Sequence, residues 1–183
     1  RTWSAINNGL LNRNVVTLVI NPSNHFILYA ATAGFVIGNT GVYKSTDGGN
    51  SWNLRNNGIS STNLVSLAID PVTPNTLYTA FSTGGAGTHL YKTTDGADNW
   101  NSVGTTPPSI PGSIAIDPQN HTTLYAADTV SGGGVYKSID AGTTWQSLGL
   151  SGSGARSVAV SPFTAGLVYA GTDQGLFKSV DGG

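Results

Sequence analysis

The chain has 183 residues, 38% of them hydrophobic and 9% charged, and its eight Lys and Arg against nine Asp leave a net charge of −1. A charge near zero gives no electrostatic footprint for nucleic acid or an anionic membrane surface, and the absence of Cys excludes disulfides, thiol chemistry and cysteine-ligated zinc. The apolar runs, such as residues 15–20, are too short to cross a bilayer as a helix. Seven Tyr, four Trp and many Val, Ile and Leu nevertheless supply a core, so one folded unit of ordinary domain size is expected. No Met occurs, at position 1 or elsewhere, so the first residue is expected to follow processing or removal of a tag, or to lie inside a longer protein.

In chain order the same phrases recur four times. An apolar or alternating run ends near Pro at residues 15–22, 64–71, 113–118 and 158–162. A short strand follows around Tyr29, Tyr78, Tyr125 and Tyr169, then a third ending in Tyr43-Lys44, Tyr91-Lys92, Tyr136-Lys137 and Phe177-Lys178. A tight turn and Trp close each unit, with the Trp residues at 3, 52, 100 and 145. Runs of β-branched and aromatic residues separated by Gly, Asn, Asp and Pro predict four short antiparallel strands per unit, and no window holds a helical period. A four-stranded unit repeated at about 45 residues is the signature of a propeller blade, which must pack on its neighbours to bury both faces. The expected fold is therefore an all-β propeller of four blades in one domain, 1–183, with repeats at 7–55, 56–103, 104–148 and 149–183 plus 1–6. The inner strands, residues 15–20 and 64–69, are expected to be buried on both faces.

The turns carry a family resemblance. Ser45-Thr46-Asp47-Gly48-Gly49-Asn50-Ser51-Trp52 resembles the Asp-box, or BNR, repeat residue for residue. Thr93-Thr94-Asp95-Gly96-Ala97-Asp98-Asn99-Trp100 and Ser138-Ile139-Asp140-Ala141-Gly142-Thr143-Thr144-Trp145 are similar with lapses, and Ala97 and Asn99 predict a looser second turn. The fourth copy is split: Ser179-Val180-Asp181-Gly182-Gly183 is its first part, and Arg1-Thr2-Trp3 reads as its missing end. The whole chain resembles the repeats of sortilin-type receptor propellers, xyloglucan-hydrolysing glycosidases and sialidases. The split predicts that residues 1–6 supply the outer strand of the last blade and close the ring, in one chain or between two; a segment of a longer propeller is the alternative.

The box also has a physical reading. An Asp before Gly-Gly bonds to backbone N–H groups of its own turn, Gly supplies positive φ, and Trp packs beneath the hairpin. Asp47, Asp95, Asp140 and Asp181 are thus structural, and the resemblance implies that they lie on the face opposite the binding site. Lys, Tyr and Trp recur at fixed repeat positions and are scaffold as well. His25 and His121 share one turn position and are expected to be solvated, with no metal site and no cofactor.

What remains after this subtraction is Arg13, Arg55, Arg156, Asp98, Asp128, Asp173, His89, Phe35 and Phe81. Alternation of turns in an antiparallel blade sends the loops from second to third strand, and from each blade to the next, to one face. Phe35, Phe81, Asp128 and Asp173 belong there, with His89 at its edge and Arg13, Arg55 and Arg156 in or beside the inter-blade loops. The spacing from the second-strand Tyr to the third-strand aromatic varies as 14, 13, 11 and 8 across the loops of that face, and variable loops on a fixed scaffold are where binding resides.

Phe35, Phe81, His89, Arg13, Arg55 and Arg156 are the ligand-binding candidates, for a glycan or a protein; blade-to-blade packing competes for Phe81. Asp128 and Asp173, on matching loops of adjacent blades, are the one pair that a glycosidase could use, in a chain without Glu. Every Tyr is committed to the scaffold, which disfavours a sialidase-type nucleophile. The expected function is a non-catalytic extracellular or cell-surface binding or scaffold module, with a fragment of a glycoside hydrolase as the alternative. Its partner set is a glycan or protein ligand, without nucleic acid or membrane insertion, and a homo-oligomer or further blades from a longer chain. Asn120-His121-Thr122 is a glycosylation sequon.

Overall fold

The computed structural model describes residues 2–34, 38–60, 63–82, 88–105, 111–129 and 133–183. Among them are fifteen β-strands and no helix. Blade one holds β1 (Val15–Ile20), β2 (Leu28–Thr32), β3 (Val42–Ser45) and β4 (Asn53–Leu54). Blade two holds β5 (Leu64–Ile69), β6 (Leu77–Ser82), β7 (Thr88–Thr93) and β8 (Asn101–Thr105). Blade three holds β9 (Pro111–Ile116), β10 (Leu124–Asp128), β11 (Val135–Ser138) and β12 (Gln146–Ser147). Blade four has β13 (Ala155–Val160), β14 (Val168–Thr172) and β15 (Gly175–Ser179). Each sheet is antiparallel with strands in sequence order, the meander that a propeller requires.

The first hairpin of every blade is set by a short polar side chain at the end of the inner strand. Asn21 Oδ1 accepts the Ser23 N–H at 2.9 Å, Asp70 Oδ1 accepts Val72 at 2.8 Å, Asp117 Oδ1 accepts Gln119 at 2.9 Å, and Ser161 Oγ accepts Thr164 at 3.1 Å. Three residue types at four positions thus make one turn because each offers an acceptor two or three residues ahead of a free backbone donor. His121, read as solvated, instead sits 2.9 Å from the buried Asp70 carboxylate of the preceding blade.

The core lies between blades. Tyr29, Val42, Leu64, Leu67, Phe81 and Trp100 join blades one and two, while Ala68, Tyr78, Leu90, Ile114 and Leu124 join two and three. Tyr125, Ala127, Val135, Val158 and Val168 join three and four. The two ends of the arc are uncovered. On β1, Leu18 is 53% exposed where its β5 counterpart Leu67 is 5% exposed. Burial of β1 on both faces, expected from its apolar run, does not occur, because no blade stands against it. The expected closure is likewise absent: residues 2–7 form no strand beside blade four, which stays three-stranded. The segment packs on blade one, where the Ile6 carbonyl accepts the Trp52 indole N–H at 2.8 Å.

At two of the three blade interfaces the repeated Tyr and Lys form a latch to the next Asp-box turn. Lys44 Nζ donates to the Gly96 carbonyl at 2.8 Å, with the Tyr29 hydroxyl on the same oxygen at 3.4 Å. Lys137 and Tyr125 grip the Gly182 carbonyl in the same way, at 2.9 and 3.3 Å. Burial pushes the Tyr29 hydroxyl pKa up to about 12, so it remains a donor. At the middle interface the turn residue is Ala141, with φ of 59°. A Cβ at Gly96 would lie 3.2 Å from both latch atoms, so the Ala141 methyl occupies the space the latch needs. Lys92 keeps its place over the Tyr78 ring, 5.4 Å from the centroid, but the Tyr78 hydroxyl is buried without a hydrogen-bond partner.

Candidate functional site

The Asp-box aspartates are consumed by their own turns. In the first box Ser45 Oγ donates to Asp47 Oδ1 at 2.8 Å and accepts the Gly49 N–H at 2.8 Å. Ser51 returns its N–H to Asp47 Oδ1 at 2.9 Å and its hydroxyl to Oδ2 at 2.6 Å. Ser138, Asp140, Gly142 and Thr144 repeat this network. The looser second turn expected from Ala97 and Asn99 is not found at its carboxylate. The Asn99 amide donates to Asp95 Oδ2 at 2.8 Å in place of a hydroxyl, and Thr93 Oγ1 holds Oδ1 at 2.7 Å. The only slackening is the Ala97 N–H bond to Thr93, at 3.2 Å.

Hydrogen bonds from Ser51, Asn99 and Thr144 respectively hold the Asp47, Asp95 and Asp140 carboxyls down at about 2, and Ser179 lowers Asp181. A carboxylate so held is a fixed turn acceptor, not a proton donor near neutral pH. Trp52 and Trp100 send their indole N–H groups to the Ile6 and Arg55 carbonyls, tying each box to the segment before it. Trp145 bonds within its own turn, to the Gly142 carbonyl at 3.1 Å.

The opposite face carries a feature that composition does not reveal. Each inner strand has a β-bulge at its second residue, with register slipping at Val15/Thr17, Leu64/Ser66 and Ala155/Ser157, and at the Asp128 end of the β9–β10 pair. The skipped residues are Val16, Val65, Gly112 and Arg156. A bulge bends the strand and re-aims its extra side chain; here it recurs once per blade at the loop-face end. The signal in sequence was only that these strands start at one repeat position.

The candidates divide on this frame. Arg156 is exposed and bound bidentately to Asp173, Nε to Oδ1 at 2.5 Å and Nη2 to Oδ2 at 3.2 Å. Arg13 is exposed just ahead of β1. His89 is exposed at the start of β7, its ring 5.8 Å from Phe81.

Phe81 is not a ligand platform. It is fully buried, 4.9 Å from the Tyr91 ring and packed with Leu64, because its strand pairing turns it into the blade interface. Arg55 is not on the loop face either. It reaches Asp98 in the second Asp-box turn at 3.4 Å, and its Nε is buried without a partner. Asp128 points inward, 1% exposed at the end of β10, and its charge adds to the burial that raises the Tyr136 pKa. With Asp128 enclosed and Asp173 bound to Arg156, the two are not presented as a solvent-facing acid and base. Phe35 lies outside the described residues. Among the described residues no group of three His, Cys, Asp or Glu could hold a metal ion.

Solved structures with this architecture cover the chain well. An ancestral GH74 enzyme superposes with a TM-score of 0.76 at 25% identity, over 100% of this chain and 25% of its own. The GH74 xyloglucanase of Xanthomonas campestris gives 0.72 at 15% identity, over 98% and 31%. A structure of YCF48 bound to D1 peptide gives 0.63 at 16% identity, over 89% and 51%. The chain therefore spans between a quarter and about half of the length of these neighbours. No curated protein matches it. One family profile, described as photosynthesis system II assembly factor YCF48, matches residues 12–183. With Asp boxes in phase on four antiparallel sheets and that match over nearly all its length, the chain belongs to this BNR-type propeller family.

Proposed function

We propose that the chain is the blade arc of a non-catalytic binding or scaffold propeller that holds an extended segment of another protein on its loop face. The observation that carries this reading is the row of bulged inner-strand residues, Val16, Val65, Gly112 and Arg156. It sets two valines, a glycine and an arginine at the loop-face ends of the four inner strands, once per blade. Val16 is exposed on that row and the Asp173 carboxylate holds Arg156 beside the loop, an arrangement that suits an extended peptide carrying hydrophobic and polar side chains. The YCF48 neighbour, solved with a D1 peptide, supports a peptide as the class of ligand. Low charge and abundant Ser, Thr, Asn and Gly support a setting at the cell surface or outside the cell.

A glycan is the second reading, favoured by the fit to GH74 propellers. It is weakened by the burial of Phe81, which removes a stacking ring from the face. The test is binding of the purified chain to arrays of short D1-derived and unrelated peptides and to xyloglucan oligosaccharides. Arg156→Ala and Val65→Asp are run beside it. Peptide binding that both variants reduce is expected. Binding to oligosaccharides alone, or peptide binding indifferent to both variants, would overturn the reading.

A further inference from the structure

Exposed apolar side chains gather on the Asp-box face. With the segment before β1 and strands β1, β14 and β15 set aside, the exposed large apolar residues among those described are Phe26, Val72, Ile139, Phe163 and Val180. All five sit in the turns of that one face, Ile139 and Val180 in Asp boxes and the others in first hairpins. Single exposed apolar residues are ordinary, but a set confined to one face marks a contact surface.

Two repeat positions supply four of the five. The residue after the inner-strand Pro is Ser23, Val72, Gln119 and Phe163 in blades one to four, and the residue before the box Asp is Thr46, Thr94, Ile139 and Val180. All eight are exposed, so exposure belongs to the turn and not to a blade's place in the arc. The turns ask nothing apolar of either position. Asn21, Asp70, Asp117 and Ser161 engage the following backbone N–H groups whatever side chain those carry. Ser45 and Ser138 hold their box Asp alike, at 2.8 Å, with Thr46 or Ile139 between.

These side chains share one layer of turns. The Ala141 N–H donates to the Thr122 carbonyl and the Gly182 N–H to that of Gly166, both at 2.8 Å, joining each box to the first turn of its own blade. Between blades, the Asp70 carboxylate that accepts the Val72 N–H also holds His121, and Lys137 reaches Gly182, two residues from Val180. The layer therefore runs unbroken across blades two to four. It is also acidic. Only Asp128 and Asp173 of the nine Asp lie on the loop face; the other seven end an inner strand or sit in a box, against the four Lys and Arg55. Lys44 and Lys137 are turned in to carbonyls between blades, whereas Asp140 and Asp181, adjacent to Ile139 and Val180, are exposed.

We propose that the Asp-box face of blades two to four is a second docking surface, for a protein segment that carries large apolar side chains together with Lys or Arg. Its apolar side chains cover Val72, Ile139, Phe163 and Val180, and its cations meet the box carboxylates beside them. An acidic face is repelled by an anionic membrane surface, which disfavours lipid as the occupant. The surface does not depend on the loop-face reading; with a peptide on that face too, the arc bridges two partners.

The test is fluorescence anisotropy with short labelled peptides that alternate Leu with Lys, Leu with Glu, and Ser with Lys. The protein variant is Ile139→Thr/Phe163→Gln, which installs the residue types that sister repeats carry as Thr94 and Gln119, so its thermal unfolding should match the parent. The Leu–Lys peptide should bind, and the other two at least about tenfold more weakly; the double variant should lose about tenfold or more of the affinity. Added salt should weaken binding to the parent. No binding, equal binding of the Leu–Glu peptide, or indifference to the double variant overturns the proposal. So does a parent dimer, or attachment to zwitterionic vesicles, that the double variant abolishes, since a second copy or a lipid surface is then the occupant.

Discussion

Ala141 is the one latch position where a methyl displaces the grip seen at the neighbouring interfaces, and Ala141→Gly should stabilise the protein. Two terms contribute. The φ of 59° is left-handed backbone, costing about 1–2 kcal/mol for a residue with a Cβ; the greater unfolded-state entropy of Gly returns about 0.5–1 kcal/mol of that gain. Removing the methyl also opens the place that the Tyr78 hydroxyl and Lys92 ammonium need to reach the residue-141 carbonyl, as Tyr29 and Lys44 reach Gly96. Burial and the nearby Asp70 charge hold the Tyr78 pKa at about 12, so its hydroxyl stays protonated and able to donate. A buried unpaired hydroxyl costs about 1–3 kcal/mol.

The net expectation is a gain of about 1–2 kcal/mol, or a Tm rise of roughly 2–8 °C for a chain of this size. The assay is urea and thermal unfolding of four proteins in a double-mutant cycle with Tyr78→Phe. In the parent, Tyr78→Phe removes an unpaired hydroxyl and should be neutral or stabilising. In the Ala141→Gly background it removes a hydrogen bond and should cost about 1 kcal/mol. An Ala141→Gly variant no more stable than the parent, or a Tyr78→Phe effect equal in both backgrounds, would refute the reasoning.

Other expectations follow from the same geometry. The Asp-box carboxyls at about 2 lie below their unfolded value near 4. Their stabilising contribution is therefore complete above about pH 4 and is lost as pH falls toward 2; acid titration of Asp140→Asn should show a smaller loss across that window than the parent. Gly58→Ala would place a Cβ on the Trp100 carbonyl oxygen at a φ of 91°. It should cost about 3 kcal/mol or more in urea unfolding. Asp70→Ala removes a buried acceptor that serves Val72, Thr73 and His121. It should cost about 2 kcal/mol, whereas His121→Ala, which leaves the turn bonds in place, should cost less than about 1. Arg156→Ala breaks an exposed ion pair and should change stability by less than about 1 kcal/mol while reducing peptide binding.

Much of the fold was legible in the chain because its signals are local and repeated. Trp spacing, the Tyr and Lys phrases and the Ser-x-Asp-Gly-Gly turns each report on a few neighbouring residues, and four copies in phase make a strand meander the consistent reading. The loop-face candidates were less legible. Arg156 and Asp173 are exposed as expected, but Phe81 and Asp128 sit at strand ends where one position of register decides between solvent and core. Arg55 turned toward the neighbouring Asp box, and His121 found a partner far away in sequence, since both contacts exist only once two blades are packed.

The amino-acid sequence by itself determined the four-unit repeat, the turn that ends each inner strand and the Asp boxes. Tertiary structure alone decided that the first segment packs on blade one, that every inner strand bulges at its second residue, and that the latch fails at Ala141. The division is physical. Turn chemistry is settled by hydrogen bonds spanning two to four residues, whereas side-chain burial and the latch depend on surfaces about one repeat or more apart, whose fit no local pattern encodes.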